Sequence, residues 1–111
     1  MAKNKNTLER GSVRYIIFKE DNTWYGVGLE FNIVESGDDP TEVYSLLMEA
    51  LRGYVKSAQL IKARPNILNQ KSDTEYENLW ALAQKDQLMS KKEKENAPTV
   101  HSFGRMSLAS A

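Results

Sequence analysis

The side chains in this sequence that could carry out chemistry are almost all carboxylates. The chain has no cysteine and only one histidine, His101, so thiolate nucleophiles, thiolate metal sites and imidazole clusters are excluded. Converging carboxylates can hold Mg²⁺ for phosphate-ester hydrolysis. The candidates are Glu20, Asp21, Glu30, Glu35, Asp38 and Asp39. Most of them fall in predicted turns or at a helix start, which favours structural roles, so we expect no enzymatic activity, no metal site and no cofactor.

A phosphate-binding loop is not expected either. The segment Gly26-Val27-Gly28 begins like a dinucleotide-binding loop, but Phe31 stands in the place of the third glycine and no helix follows. Two glycines inside a strand are typical of a bulge, a strong twist or the close approach of another backbone.

The charges are balanced overall but segregated along the chain. Lys and Arg total 15, and Asp and Glu also total 15. Residues 15–89 hold seven basic and twelve acidic side chains, a net charge of −5, whereas residues 1–14 and 90–111 are net basic. An acidic domain attracts basic partners and repels phosphate, so we expect a protein partner, with nucleic acid touched only weakly by the basic ends.

The elements that must position these groups begin with three strands. Residues 13–19 are rich in β-branched and aromatic side chains, and residues 20–23 form a tight turn. Residues 24–31 alternate apolar and other side chains, and the short run 33–36 stops at Gly37. This spacing predicts a three-stranded antiparallel meander.

A long helix follows the meander. Asp39 is a helix cap, Pro40 suits the first helical position and Glu42 completes an acidic first turn. Apolar residues then recur at three- and four-residue steps up to Ala58, which predicts one stripe that covers one face of the sheet. The pattern leaves open whether residues 59–64 extend the helix or form a fourth, edge strand.

A second amphipathic helix is predicted from Ser72 to about Met89. Ser72 and Glu75 have the spacing of a capping box, and Tyr76 and Trp80 belong to the apolar face that follows. The fold class is therefore α+β, with one domain at residues 13–89, a flexible N-terminus at 1–12 and a disordered tail at 90–111.

Both faces of the predicted sheet carry bulky side chains. Tyr15 and Ile17 point to one face, and Ile16 and Phe18 point to the other. One helix covers only one face, so the other is covered by the second helix or serves as an interface with a partner or a second copy, and the sequence does not settle which face each helix takes. The candidate interface residues are Tyr15, Ile17, Trp24, Tyr76 and Trp80.

The segment 13–58 resembles the HicB-like antitoxin family, whose domain is a partial RNase H-like fold of a three-stranded meander, a long helix and often a fourth strand. The matching positions are Trp24-Tyr25-Gly26-Val27, Gly37-Asp38, Glu42, Glu49-Ala50-Leu51 and Tyr54-Val55. Members of this family commonly bind over and neutralise a small RNA-cleaving toxin, and many add a DNA-binding tail that represses their own operon. No such tail is recognisable here.

The resemblance implies a small, non-enzymatic protein-interaction module whose partner is a basic RNA-processing toxin. Two alternatives remain open: a metal-dependent nuclease of RNase H-like type, and a DNA-binding regulator that uses its basic ends. No apolar run is long enough to span a membrane, and residues 1–12 lack the apolar stretch of a signal peptide, so we expect a cytoplasmic protein.

Overall fold

The architecture is a four-stranded antiparallel sheet with one helix on each face. A computed structural model of the chain describes residues 6–87 and 100–110. The strands are β1 (Ser12–Glu20), β2 (Thr23–Gly28), β3 (Ile33–Gly37) and β4 (Val100–Ser107), and the helices are α1 (Pro40–Leu60) and α2 (Thr74–Gln87). The order across the sheet is β3-β2-β1-β4, and every neighbouring pair is antiparallel. The predicted α+β class, with its meander and two helices, is confirmed.

The tight turn between β1 and β2 is confirmed as a two-residue hairpin loop. Asp21 and Asn22 have positive φ angles of 50° and 65°, the left-handed conformation that such loops require and that Asp and Asn tolerate. The loop fixes the register, so Glu20 pairs with Thr23 and Phe18 pairs with Tyr25. Paired residues point to the same face, which places Phe18 and Tyr25 side by side.

Helix α1 begins as predicted. Asp39 has extended backbone angles, and its carboxylate accepts a hydrogen bond from the backbone N–H of Glu42 at 2.9 Å, with Pro40 in the first turn. The helix buries its predicted stripe, including Val43, Leu47, Leu51 and Val55, against the sheet.

The glycines of β2 bring α1 close to the sheet. A Cβ atom at Gly26 would lie 2.8 Å from Cγ1 of Val43, and one at Gly28 would overlap with Leu51. The two glycines therefore leave room for side chains, chiefly those of α1, whereas the sequence offered the close approach of another backbone as one of three alternatives.

The question of residues 59–64 is settled in favour of a helix end. α1 runs to Leu60, Ile61 caps it and Lys62 takes a positive φ of 52°, after which a short 3₁₀ helix spans Pro65–Leu68. No residue between 59 and 64 joins the sheet. The fourth strand comes from a different part of the chain.

Helix α2 packs on the face opposite α1. Asp73, rather than Ser72, caps it: its carboxylate accepts a hydrogen bond from the N–H of Glu75 at 3.0 Å, and its carbonyl accepts one from Tyr76. Below α2 lies a second apolar core made of Ile16, Phe18, Val27, Leu29 and Trp80. The second helix therefore covers the Ile16 and Phe18 face within its own chain, and the Tyr15 and Ile17 face belongs to α1.

The predicted disorder of the tail is wrong for residues 100–107. They form β4, which pairs with β1 from Ser12 to Phe18. Met106 is buried in the α1 core, and Phe103 packs against the α2 core. A register shift between Ile17 and Phe18 breaks the two-residue alternation of β4, which conceals the strand in the sequence. The prediction is also wrong for residues 108–110, which form a short 3₁₀ helix with Leu108 buried, and the remainder of the expected tail, residues 90–99 and 111, lies outside the described residues.

The expected flexible N-terminus is also wrong from Asn6 onward. Asn6 is only 1% exposed, and its side-chain amide donates to the carbonyl of Leu68 at 2.7 Å and accepts from the N–H of Ser12 at 2.8 Å. Asn69 exchanges two further hydrogen bonds with the Asn6 backbone, at 2.6 and 2.8 Å. A single buried amide gives no periodic signal, so the sequence did not reveal this anchor. Residues 1–5 lie outside the described residues.

Among the described helices, none is both long enough and apolar enough to cross a membrane.

Candidate functional site

A pocket forms where the β1–β2 hairpin meets the first turn of α2. Its lining consists of Phe18 and Glu20 from β1, Tyr25 from β2, and Glu75 and Tyr76 from α2. We call these five residues the acidic aromatic pocket. The hairpin register supplies the adjacent Phe18 and Tyr25, and the Asp73 cap fixes the helix start that carries Glu75 and Tyr76.

Three aromatic rings wall the acidic aromatic pocket. The Phe18 and Tyr25 rings are stacked with centroids 5.5 Å apart and planes 25° from parallel. The Tyr76 ring lies 6.3 Å from that of Phe18 and is tilted by 44°. The pocket has a volume of about 220 Å³ and is open to solvent, and Glu20 and Glu75 are its two acidic lining residues.

The electrostatic field in the pocket is negative. Burial raises the pKa of the Tyr76 hydroxyl, and the nearby carboxylates of Glu75, Asp73 and Glu20 raise it further because they oppose a second negative charge. The Tyr76 hydroxyl is therefore protonated at neutral pH. In residues 6–87 and 100–110, the salt bridges join only Arg14 to Glu30 and Glu77, so these three carboxylates keep their charge available.

Arg14 holds α2 in place beside the pocket. Its guanidinium donates two parallel hydrogen bonds to Glu77 at 2.8 and 2.7 Å and one to Glu30 at 2.7 Å. The Ser72 hydroxyl donates to the same Glu77 carboxylate. These contacts raise the pKa of Arg14 and lower that of Glu77, since each charge stabilises the other. The Arg14–Glu77 salt bridge fixes the rotation of the first turn of α2, and therefore the position of Tyr76.

Trp80 anchors the next turn of α2. It is 7% exposed and meets the ring of Phe103 edge-on at 5.5 Å. The guanidinium carbons of Arg14 and Arg105 each lie 5.5 Å from the centre of the Trp80 ring. Cations at such distances are attracted to the face of an indole ring. The Arg14–Glu77 salt bridge and the packing of Trp80 on Phe103 together hold the helical side of the pocket against the sheet.

The predicted interface residues do not form one surface. Tyr15, Ile17 and Trp24 lie on the α1 side of the sheet, whereas Tyr76 and Trp80 lie on the α2 side. Ile17 is fully buried, and Trp80 is nearly so, which leaves neither available to a partner while the fold is intact. Of the five, Tyr76 lines the acidic aromatic pocket.

Two of the five, Tyr15 and Trp24, are half-buried at the α1 face. Tyr15 meets the ring of Tyr44 edge-on at 5.6 Å. The Lys19 ammonium nitrogen lies 5.7 Å from the centre of the Trp24 ring. The His101 ring meets the Trp24 ring edge-on, with the two ring centres 5.2 Å apart. His101 therefore belongs to β4 and packs on an aromatic ring. The sequence analysis had placed it in a disordered tail.

The six carboxylates considered for metal binding do not converge. Glu20 and Asp21 lie at the β1–β2 hairpin, and Glu30 accepts hydrogen bonds from Arg14. Glu35 lies within β3, and Asp38 and Asp39 connect β3 to α1. Within the described ranges, no group of three or more His, Asp or Glu side chains is placed to hold a metal ion.

A second cavity lies at the other end of the molecule and differs in chemistry. It has a volume of about 490 Å³ and is lined by Leu8, Glu9, Gln59 and Lys62. Its one acidic and one basic side chain cancel, and no aromatic ring lines it. The acidic aromatic pocket is the more specific arrangement, because its lining joins two acidic and three aromatic residues and includes no basic residue.

Sequence reasoning found Tyr76 but missed the rest of the pocket. The available signal was the hairpin register, which pairs Phe18 with Tyr25 once the turn at Asp21 and Asn22 is placed. Nothing local in the sequence indicates that this hairpin meets the start of α2. Comparisons with protein-family models, curated proteins and solved structures found no significant match to this chain.

Proposed function

We propose that this protein is a non-enzymatic binding module that holds a basic segment of a partner protein at the acidic aromatic pocket. The observation that carries the proposal is the pocket itself, an open cavity of about 220 Å³ whose lining brings together three aromatic and two acidic residues. Binding sites are usually concave and combine aromatic side chains with a small number of polar groups.

The balance of charge around the pocket supports a cationic partner. The N-terminus of α2 contributes a partial positive charge of about half a unit. Glu20, Asp73 and Glu75 oppose it with three negative charges, while Glu77 is neutralised by Arg14. The excess of negative charge has the same sign as the net charge of the described residues, 6–87 and 100–110, which hold ten basic and thirteen acidic side chains, a net charge of −3. Such a field attracts basic partners and raises their association rate at low salt.

The resemblance of residues 13–58 to HicB-like antitoxins suggests the kind of partner to test first. That resemblance implies a small RNA-cleaving toxin, and a nuclease that binds RNA carries a basic surface. A small basic protein encoded by the neighbouring reading frame is therefore the natural first candidate. Its basic surface would complement the acidic aromatic pocket.

A peptide titration followed by NMR tests the proposal. A peptide of alternating Lys and Gly is added to the ¹⁵N-labelled protein, and a peptide of alternating Glu and Gly is the control. We expect the amide shifts to change around Phe18, Tyr25 and Tyr76 with the basic peptide alone, and the affinity to fall as salt is raised. Shifts that spread over the α1 face, or that leave these amides unmoved, would refute the proposed site.

The double variant Glu20→Gln with Glu75→Gln isolates the contribution of the pocket to this binding. Both side chains are exposed, so the fold should be retained. The double variant Glu9→Gln with Glu49→Gln is the matched control, because it removes the same number of charges from two exposed side chains that do not line the pocket. Binding of the basic peptide should weaken in the pocket double variant and remain unchanged in the control. Equal weakening in both would show that only the overall charge matters.

A further inference from the structure

The outer edge of β3 is a side of the sheet to which no described element adds a further strand. β3 (Ile33–Gly37) is the end strand in the order β3-β2-β1-β4, and its register with β2 runs without a shift. Among residues 6–87 and 100–110, no hydrogen bond joins the β3 backbone to any backbone group outside β2. Alternate backbone groups of a strand point to its two sides, so β3 presents a row of N–H and C=O groups to a further chain.

The two edge strands differ in how they are protected against such pairing. Natural edge strands are commonly protected by bulges, prolines and lysine or other charged side chains. β4 has such features, because its pairing with β1 shifts register next to Phe18 and its exposed side chains include His101 and Arg105. β3 has no register shift, no proline and no basic side chain. It is therefore the edge better suited to accept an added strand.

Exposed apolar side chains lie on both sides of the β3 edge. Val34 pairs with Val27, a member of the second core, so it points to the α2 face, and it is 46% exposed. On the α1 face, a Cβ atom at Gly37 would lie 2.6 Å from Oε1 of Glu42, which places this side of α1 over β3. Leu46, one helical turn after Glu42, is 40% exposed. A strand added to β3 would extend the sheet beside Val34 and beneath this side of α1.

The charge around the β3 edge is negative. Residues 20–51 include eight acidic side chains and no lysine or arginine, and they supply β2, β3 and the N-terminal half of α1. Glu35 pairs with Gly26 and so lies on the α1 face of β3, the face on which Glu42 reaches Gly37. Neither carboxylate belongs to a salt bridge within the described part of the chain. A basic segment would therefore complement the charge of this edge.

We propose that β3 accepts an extended, basic segment of a partner protein as a fifth strand of the sheet. Alternate side chains of such a segment point to the two faces. Basic residues would face the side that carries Glu35 and Glu42, and apolar residues would face the side that carries Val34. Backbone hydrogen bonds supply the affinity, and the alternation of basic and apolar side chains supplies the specificity. The β3 edge is separate from the acidic aromatic pocket, so this inference goes beyond the proposed function and does not depend on it.

The charge of β3 opposes occupation of the edge by a second copy of the chain. β3 has five residues with Glu35 in the middle, so a twofold antiparallel pairing centred on the strand would place Glu35 opposite Glu35 of the second copy. Like charges directly opposite each other destabilise an antiparallel pair. A basic residue at that place in a partner would attract Glu35, so the same side chain selects the partner and rejects the second copy.

The probe is a short peptide of alternating Val and Lys with blocked ends, titrated into the ¹⁵N-labelled full chain. We expect the amide shifts of Ile33–Gly37 to change and hydrogen exchange to slow at alternate β3 amides, because the outward N–H groups become bonded. The control is the same peptide with every backbone nitrogen methylated, which keeps the charges and removes the donors. It should bind at least about tenfold more weakly, since each backbone hydrogen bond contributes about two- to tenfold. Equal binding of the two peptides, or β3 amides that do not respond, would overturn the added strand.

Variants of the chain assign the binding to the β3 edge. Val34→Lys places a lysine on the edge and should weaken binding of the Val and Lys peptide about two- to fivefold. Leu82→Lys is its matched control, because Leu82 is 40% exposed on α2 and receives the same charge. Glu35→Gln should weaken binding by a similar factor, whereas Glu9→Gln, at an exposed side chain of the second cavity, should not. Equal effects within either pair of variants would contradict the inference.

The outcomes separate this inference from the proposed function. If the Val and Lys peptide moves the amides of Phe18 and Tyr76 but not those of β3, the added strand is wrong and the proposed function survives. If β3 responds to this peptide while the Lys and Gly peptide leaves the pocket amides unmoved, the proposed function is wrong and the added strand survives. Exchange at β3 amides that slows with the concentration of the chain alone would show a second copy at the edge and would overturn the basic segment.

Discussion

Replacing Trp80 by alanine tests how α2 is held on the sheet. Trp80 is 7% exposed, packs edge-on against Phe103 at 5.5 Å and has the guanidinium carbons of Arg14 and Arg105 each 5.5 Å from its ring centre. The substitution removes the largest side chain of the second core. It also removes the contact between α2 and β4 that the ring of Phe103 provides.

The expected loss of stability is large. An aromatic side chain buries roughly 150–250 Å², which at about 25 cal/mol per Å² corresponds to some 4–6 kcal/mol as an upper limit. Measured costs of Trp or Phe to Ala in cores are about 3–5 kcal/mol because the cavity partly relaxes. We therefore expect Trp80→Ala to lower the free energy of unfolding by about 3–5 kcal/mol, which corresponds to a fall in the melting temperature on the order of 10–30 °C.

Urea unfolding at low temperature, followed by far-UV circular dichroism, measures this change. Leu82→Ala is the matched control, since Leu82 lies on the same helix but is 40% exposed, and its loss should cost less than about 1 kcal/mol. Hydrogen exchange shows whether α2 loosens before the rest, because its amides would lose protection before those of α1. If Trp80→Ala cost no more than Leu82→Ala, the account of α2 as a docked helix would be wrong.

Three other predictions concern pH, glycine and the last strand. The pKa of Glu77 is lowered, chiefly by its hydrogen bonds to Arg14. The pair therefore stabilises the fold above the ordinary pKa of 4.5, and this contribution is lost as the pH falls below that value. In urea titrations, Glu77→Gln should flatten the decline in unfolding free energy between about pH 5 and 3. Gly26→Ala should destabilise the fold by about 1–3 kcal/mol, because its Cβ would lie 2.8 Å from Val43. Gly53→Ala should stabilise the fold by up to about 1 kcal/mol, because Gly53 lies in a helix with open space around it. Thermal melts that rank the two variants in the opposite order would contradict this prediction. Removal of residues 100–111 should abolish the cooperative thermal transition, because it removes β4 and its buried side chains that belong to the α1 core. If the truncated chain melted like the full chain, β4 would not be needed for the fold.

Local signals in the sequence were sufficient for much of the fold. The start of α1 was predictable because Asp39, Pro40 and Glu42 act on backbone groups within one turn of themselves. The hairpin at Asp21 and Asn22 was predictable for the same reason, since these residues tolerate the backbone angles of a tight loop. Such interactions depend on neighbours in the chain, which the sequence displays directly.

The parts that escaped prediction depend on distant neighbours. β4 is a strand because β1 offers it an open edge, and a register shift hides its alternation. Asn6 is buried because the carbonyl of Leu68 and the amide of Asn69 meet it, and these lie more than sixty residues away. The acidic aromatic pocket likewise joins a hairpin to a helix start. Its residues were visible one by one, but only the folded chain brings them together.

The position of β4 has a consequence for the order in which the chain folds during synthesis. β4 pairs with β1, yet Ser12 and Arg105 of this pair are 93 residues apart. A ribosome adding about 5–20 residues per second exposes β1 for several seconds before its partner is made. During that interval β1 presents an open edge, and the α2 core lacks the Phe103 ring that faces Trp80. A chaperone that covers an unpaired strand would bind in this interval and leave when β4 arrives.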